Sequence, residues 1–177
     1  MVFTHDAEVS LQAAVTLVNS AEEPDTLTTV AELDAFYATY EYTGRHDRTR
    51  AELDEVRALR APLRALFTAD RAGAVELVNA ILRERQAVPQ LVTHDHWDFH
   101  LHASRRDDPL VDRIAVETAM AMVDVIRGDE LSRFSLCADE TCESVVLDLS
   151  RNRSRIYCST TCGNRNAVAA YRARNLG

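Results

Sequence analysis

Four cysteines, Cys137, Cys142, Cys158 and Cys162, fall in the last 41 residues of a 177-residue chain whose other 136 residues contain none. Their spacing, C-x4-C-x15-C-x3-C, makes two close pairs separated by a middle segment. In a reducing compartment such a cluster points to a metal site rather than to a disulfide framework, with buried thiols or a redox pair as the plainer alternative. Zn2+ prefers four soft ligands in a tetrahedron, and two short loops giving two thiolates each build that shell at small entropic cost. The spacing therefore predicts one structural zinc held by Cys137, Cys142, Cys158 and Cys162. A closed shell of four thiolates leaves no open position for catalysis.

The segment between the pairs, SVVLDLSRNRSRIY, reads as two short strands around a polar Arg-Asn-Arg-Ser turn. After Cys162, NRNAVAAYRAR is rich in Ala and Arg and favours helix. The second pair then sits where that helix begins, where the helix dipole favours thiolate. Knuckle, hairpin and helix in that order make a treble-clef-like zinc finger over residues 133–177.

Residues 1–132 read mainly as helix, and 46% apolar content suffices for a packed core. Val9, Leu11, Val15 and Val18 mark a first amphipathic segment. Thr29–Glu32 and Thr49–Glu52 each have the form of a capping box ahead of an apolar stripe: Leu33, Phe36 and Tyr37 in one case, Leu53 through Phe67 in the other. Pro62 predicts a kink or break in the second stripe. Val75, Val78, Ile81 and Leu82 give a further helix. Asp108-Pro109 starts a long one that ends at Gly128. Between these two, in LVTHDHWDFHLHA, the period changes to two, which means a strand or a short hairpin. The alternation sets Phe99 and Leu101 against His94, His96, His100 and His102 and implies one buried and one polar face. His100 and His102 are expected at the inner, ligand-proximal end. A His-dependent metalloenzyme using the four histidines is the less favoured reading, since no nucleophile, Gly-rich phosphate loop or His-Glu-x-x-His pattern accompanies them. The fold class is mainly α with a small β element.

Charge is uneven. Up to residue 136 there are 24 acids against 14 arginines, whereas from Arg151 onward six arginines meet no acid, on a chain of net charge −8. All 20 basic residues are Arg. Arg151, Arg153 and Arg155 fall on the expected hairpin, and Arg165, Arg172 and Arg174 on the terminal helix, with Arg165 and Arg172 on one helix face. Such a tip could present guanidiniums to phosphates, while the acidic body would repel DNA. No apolar run approaches a membrane span, and MVFTHDAEVS lacks the pattern of a signal peptide, so the expected address is the cytoplasm.

The stretch VLDLSRNRSRIYCSTTCGNRNAVAAYRAR closely resembles the CGNR zinc finger, named for the motif that here is Cys162-Gly163-Asn164-Arg165. The body, with LQAAVTLVNS near its start and DFHLHA before the long helix, resembles the ABATE-type domain joined to that finger. The resemblance implies a bacterial, stress-related transcription regulator; the arginine placement makes DNA its expected partner, and the missing catalytic motifs make an enzyme the disfavoured reading. The body would then sense a small-molecule effector or form a homodimer. The alternative is a small-ligand-binding or protein-interaction protein with a purely structural finger.

Overall fold

A computed structural model describes residues 3–94 and 97–175 of the chain. The apolar stripes become helices: α1 (His5–Asn19), α2 (Val30–Thr39), α3 (Arg50–Ala58), α4 (Arg60–Thr68), α5 (Arg71–Glu84) and α6 (Leu110–Arg127). Helix α6 buries Ile114, Ala115, Ala119, Met122 and Val125, and α1 buries Leu11, Ala14, Leu17 and Val18. This 3-to-4 spacing lets α6 pack against α1, α3 and α5 at the centre of the core.

The capping box at Thr29 is complete, with the Thr29 side chain and Glu32 exchanging bonds with each other's backbone. The expected box at Thr49 is only half made. Thr49 Oγ1 accepts from the Glu52 N–H, but the Glu52 carboxylate turns away to the loop before the helix. There it accepts from the Asp47 and Arg48 N–H groups at 3.0 and 2.8 Å and meets His46 Nδ1 at 2.8 Å. The His46 ring lies flat on Tyr37 with centroids 4.4 Å apart, its Nε2 2.7 Å from Asp34. A buried carboxylate thus organises the 45–48 loop, which the box pattern alone did not show.

The break attributed to Pro62 falls instead at Leu59, between α3 and α4. Pro62 sits in the first turn of α4, where its missing N–H costs nothing. Arg60 at this joint donates to both oxygens of Asp25, at 2.8 and 2.9 Å, which ties the α1–α2 connection to α4. The Arg60 bonds hold the Asp25 carboxyl well below the usual carboxylate range. At the start of α6, Pro109 is the cap rather than the first helical residue, a shift of one position.

The period-two segment is a hairpin, β1 (Gln90–His94) antiparallel to β2 (Trp97–His102), with Val92 opposite His100 and Gln90 opposite His102. The two faces of the strand differ as the alternation implies, and the histidine face is the one turned toward the body. Leu91, Phe99 and Leu101 are 65, 67 and 47% exposed, while His100 and His102 lean toward α6. The physical reason lies on α6, where Glu117 offers the histidines a polar partner.

The second sheet also departs from expectation. β3 (Phe134–Leu136) pairs with β4 (Val145–Leu147), so the first cysteine pair lies on the connection between them, and no strand is formed after the Arg-rich turn. This hairpin belongs to the main core. Phe134 stacks on Phe67 at 4.8 Å, and the Asn19 amide exchanges two bonds with the Val145 backbone, at 2.8 and 2.7 Å. Helix α7 (Thr160–Asn175) follows. Among the described residues no helix is long and apolar enough to cross a membrane.

Candidate metal centre and the body cavity

Cys137 follows β3 directly, Cys142 closes the knuckle before β4, Cys158 precedes α7 and Cys162 lies in its first turn. The Ser159 hydroxyl accepts from the Cys162 N–H and anchors that turn. The four Sγ atoms lie within 4.8 Å of one another, with Cys142–Cys158 at 3.6 Å and Cys158–Cys162 at 3.7 Å. A tetrahedron with Zn–S bonds of about 2.3 Å has edges of about 3.8 Å, so the cluster fits one zinc. Burial pushes the Cys158 thiol up to about 12, with the neighbouring sulfurs adding to the rise. Four adjacent thiolates therefore require a cation between them. The Cys158 N–H, 3.4 Å from Cys137 Sγ, is a donor of the kind that stabilises a ligated thiolate. The chain carries a site for one structural zinc.

Asp139, inside the first knuckle and nearly fully buried, holds the centre together. It accepts from Thr141 Oγ1 and N at 2.7 and 3.0 Å, from Arg165 Nε at 2.6 Å and from Asn166 Nδ2 at 2.7 Å. The Thr141 hydroxyl first, with help from Arg165, holds its carboxyl at about 2. Arg165 also donates to Cys162 Sγ at 3.4 Å. The motif arginine therefore joins helix to knuckle. Asp139 went unnoticed in the sequence, although Asp-x-Thr between two cysteines is the pattern of a side-chain-closed turn.

The six tail arginines divide. Arg153 bonds Ser132 and Glu130 at 2.9 and 2.7 Å, and Arg155 bonds the Tyr157 and Cys158 carbonyls at 3.2 and 2.7 Å. With Arg165 on Asp139, half of the set is engaged within the chain. Arg151, Arg172 and Arg174 are exposed and make no ion pair or side-chain hydrogen bond among the described residues. After Asn166 every described side chain of α7 is exposed, Val168 and Tyr171 included, so the helix projects from its first turn.

In the body, the hairpin brings His100 and His102 together with Nε2 atoms 2.9 Å apart, and His102 Nδ1 lies 3.8 Å from Glu117. His96 and the side chain of His94 lie outside the described residues. A cavity of about 500 Å3 opens between the hairpin, α5, α6 and the 43–45 loop; Ser104, Arg105, Arg106, Arg113, His102 and Glu117 are in its lining. A second of about 200 Å3, lined also by Tyr42 and His100, adjoins it and shares Thr43, His102, Ala103 and Glu117. The roof is fixed by buried Arg113, which donates to the Asp108, Thr43 and Arg45 carbonyls. Gly44, with φ of +91°, lets the roof approach Arg106, whose carbonyl oxygen a Cβ would strike. Burial pushes the Glu117 carboxyl up to about 7, with Arg113 opposing and Asp6 adding. Burial likewise raises the Tyr42 hydroxyl far above its ordinary range. Glu117, Tyr42, Ser104 and Arg113 were not singled out in the sequence.

Two family descriptions match this chain: the CGNR zinc finger over residues 133–175, and over residues 11–129 ABATE, described as "putative stress-induced transcription regulator". The chain belongs to the ABATE family. No curated protein matches it. In this ABATE-family chain the CGNR match contains all four cysteines, Asp139 and Arg165, and the ABATE match contains the larger cavity, while the second is lined in part by residues 6–10 ahead of it.

Proposed function

We propose that the chain is a transcription regulator that contacts duplex DNA through its zinc-held tip, with the helical body as a small-effector domain and no catalytic role. The observation that carries this reading is α7: a helix whose first turn carries a zinc ligand, its described side chains beyond Asn166 exposed, with Arg172 and Arg174, and Arg151 on the preceding turn, unpaired among the described residues. A short helix with no apolar packing is marginal alone, and a basic one gains stability on a phosphate surface. Arg153, Arg155 and Arg165 shape the tip, and contact falls to the other three arginines. The exposed face of Leu91, Phe99 and Leu101 on the hairpin supports self-association, which would double the contacts. Sedimentation equilibrium checks that stoichiometry.

Three unpaired arginines give an expected slope of log K against log salt of about −3 per chain, roughly double for a dimer. Fluorescence anisotropy with a labelled duplex, from low to physiological salt, measures it. Arg172→Ala should flatten the slope by about one, whereas Arg165→Ala should act through loss of zinc. Absence of duplex binding at low salt contradicts the reading. It would favour a protein partner for the exposed Ile156, Val168 and Tyr171 on the same tip.

A further inference from the structure

We propose that the larger body cavity binds a small organic carboxylate, its anionic group held by Arg105 and Arg106 and its far end by Ser104, His102 and Glu117. The inference rests on the reading of the body as an effector domain and names the chemistry that domain takes.

Four arginines line the cavity against the carboxyl groups of Asp108 and Glu117. Two of them are already committed: Arg85 pairs with Asp112, and Arg113 holds backbone carbonyls. Asp108 is engaged too, accepting from the Arg105 backbone N–H at 2.7 Å. Arg105 and Arg106 remain, adjacent in sequence and exposed at the cavity, with no side-chain ion pair among the described residues. In a chain with 28 acids and 20 basic residues, two unpaired guanidiniums at one cavity mouth mark an anion-binding position.

Inside, the Ser104 hydroxyl oxygen is buried and has no hydrogen-bond partner among the described residues, and the same is true of the Tyr42 hydroxyl in the adjoining cavity. A buried polar atom left unsatisfied costs about 1–3 kcal/mol, a cost that a ligand or water must offset. Glu117, raised by burial, carries a proton for part of the time at neutral pH. It can then donate a hydrogen bond and repels an anion only weakly. Val88, Val92 and Ala103 supply an apolar stretch of wall. The volume is within the range of small-molecule sites. One negative charge on a planar group matches two guanidinium forks beside two carboxyl groups better than a dianion does, and a short carbon skeleton reaches from them to Ser104.

Titration calorimetry on the zinc-loaded full chain tests this with benzoate as the probe, benzamide as its uncharged isostere and inorganic phosphate as the competing anion. Benzoate is expected to bind saturably, one per chain, in the micromolar to millimolar range, with benzamide weaker by at least about tenfold. The Arg105→Ala/Arg106→Ala variant, altered only at exposed side chains, should lose at least about tenfold in benzoate affinity with its melting temperature unchanged. Ser104→Ala should weaken benzoate without affecting zinc content. Saturable phosphate without benzoate, equal binding of benzamide, no saturation by any of the three, or full affinity in the double variant would each overturn the proposal. Duplex affinity measured on the same preparation keeps the two readings apart. Intact DNA binding without benzoate binding rejects this inference alone, and the converse rejects the DNA reading alone.

Discussion

Cys142→Ser, or stripping the metal with a chelator, is expected to lower zinc from one equivalent per chain to a small fraction and to melt α7 while the body stays folded. Cys158 and Cys162 flank the start of α7, and beyond Asn166 no described side chain of the helix is buried. With the zinc gone, the helix depends on Asp139 and its own propensity, which does not hold a helix of this length in water. Structural zinc sites of this kind carry about 10–16 kcal/mol of apparent binding energy, so the effect should be complete rather than partial. The line of melting should run between β4 and the second cysteine pair rather than at residue 133. Phe134, Val145 and Leu147 lie in the main core and Asn19 clasps Val145 from α1, so the β3–β4 hairpin should persist. Circular dichroism should lose up to the 16 residues of α7. Hydrogen exchange should show protection retained at Val145 and Val146. A metal-free protein with α7 intact would contradict the assignment.

Glu52→Ala is expected to be the most damaging single change in the body. It removes a buried carboxylate that serves the Asp47 and Arg48 N–H groups and His46, leaving two partly buried loop N–H groups and one side of the buried imidazole without their partner. Breaking such a network costs about 3 kcal/mol or more. Urea denaturation should show the midpoint falling with little change in slope, since the core itself is untouched. Glu52→Gln, which keeps an acceptor, should recover part of the loss. A midpoint for Glu52→Ala within error of the parent would show that the 45–48 loop is held by other means.

The cysteine ligands and the helical body were legible because each leaves a local mark: short ligand spacing, a 3-to-4 apolar stripe, a Thr-x-x-Glu cap. What was hidden depended on contacts far apart in sequence. Alternation told that residues 97–102 form a strand with two unlike faces, but only Glu117 on α6 decides that the histidine face turns inward. The Val145–Leu147 strand was visible, yet its partner turned out to be Phe134–Leu136, because Phe67 and Asn19 hold that hairpin on the body. The tail arginines looked equivalent by charge. Glu130, Asp139 and two knuckle carbonyls separate Arg153, Arg165 and Arg155 from the three that have no side-chain partner among the described residues. Glu52 fits the pattern of a capping box and nevertheless serves the preceding loop.

In the proposed function the zinc-held tip is the part of the molecule that meets DNA. The direct test is a mobility-shift titration of duplex fragments from around the protein's own gene. It compares the parent chain with Cys158→Ser and with the Arg151→Ala/Arg172→Ala/Arg174→Ala variant, after confirming that the triple variant keeps its zinc. The expected result is a saturable shift with the parent chain and loss of that shift in both variants, the second with zinc and fold intact. Equal shifts for the parent and the zinc-loaded triple variant, or none for any of the three at low salt, would contradict it.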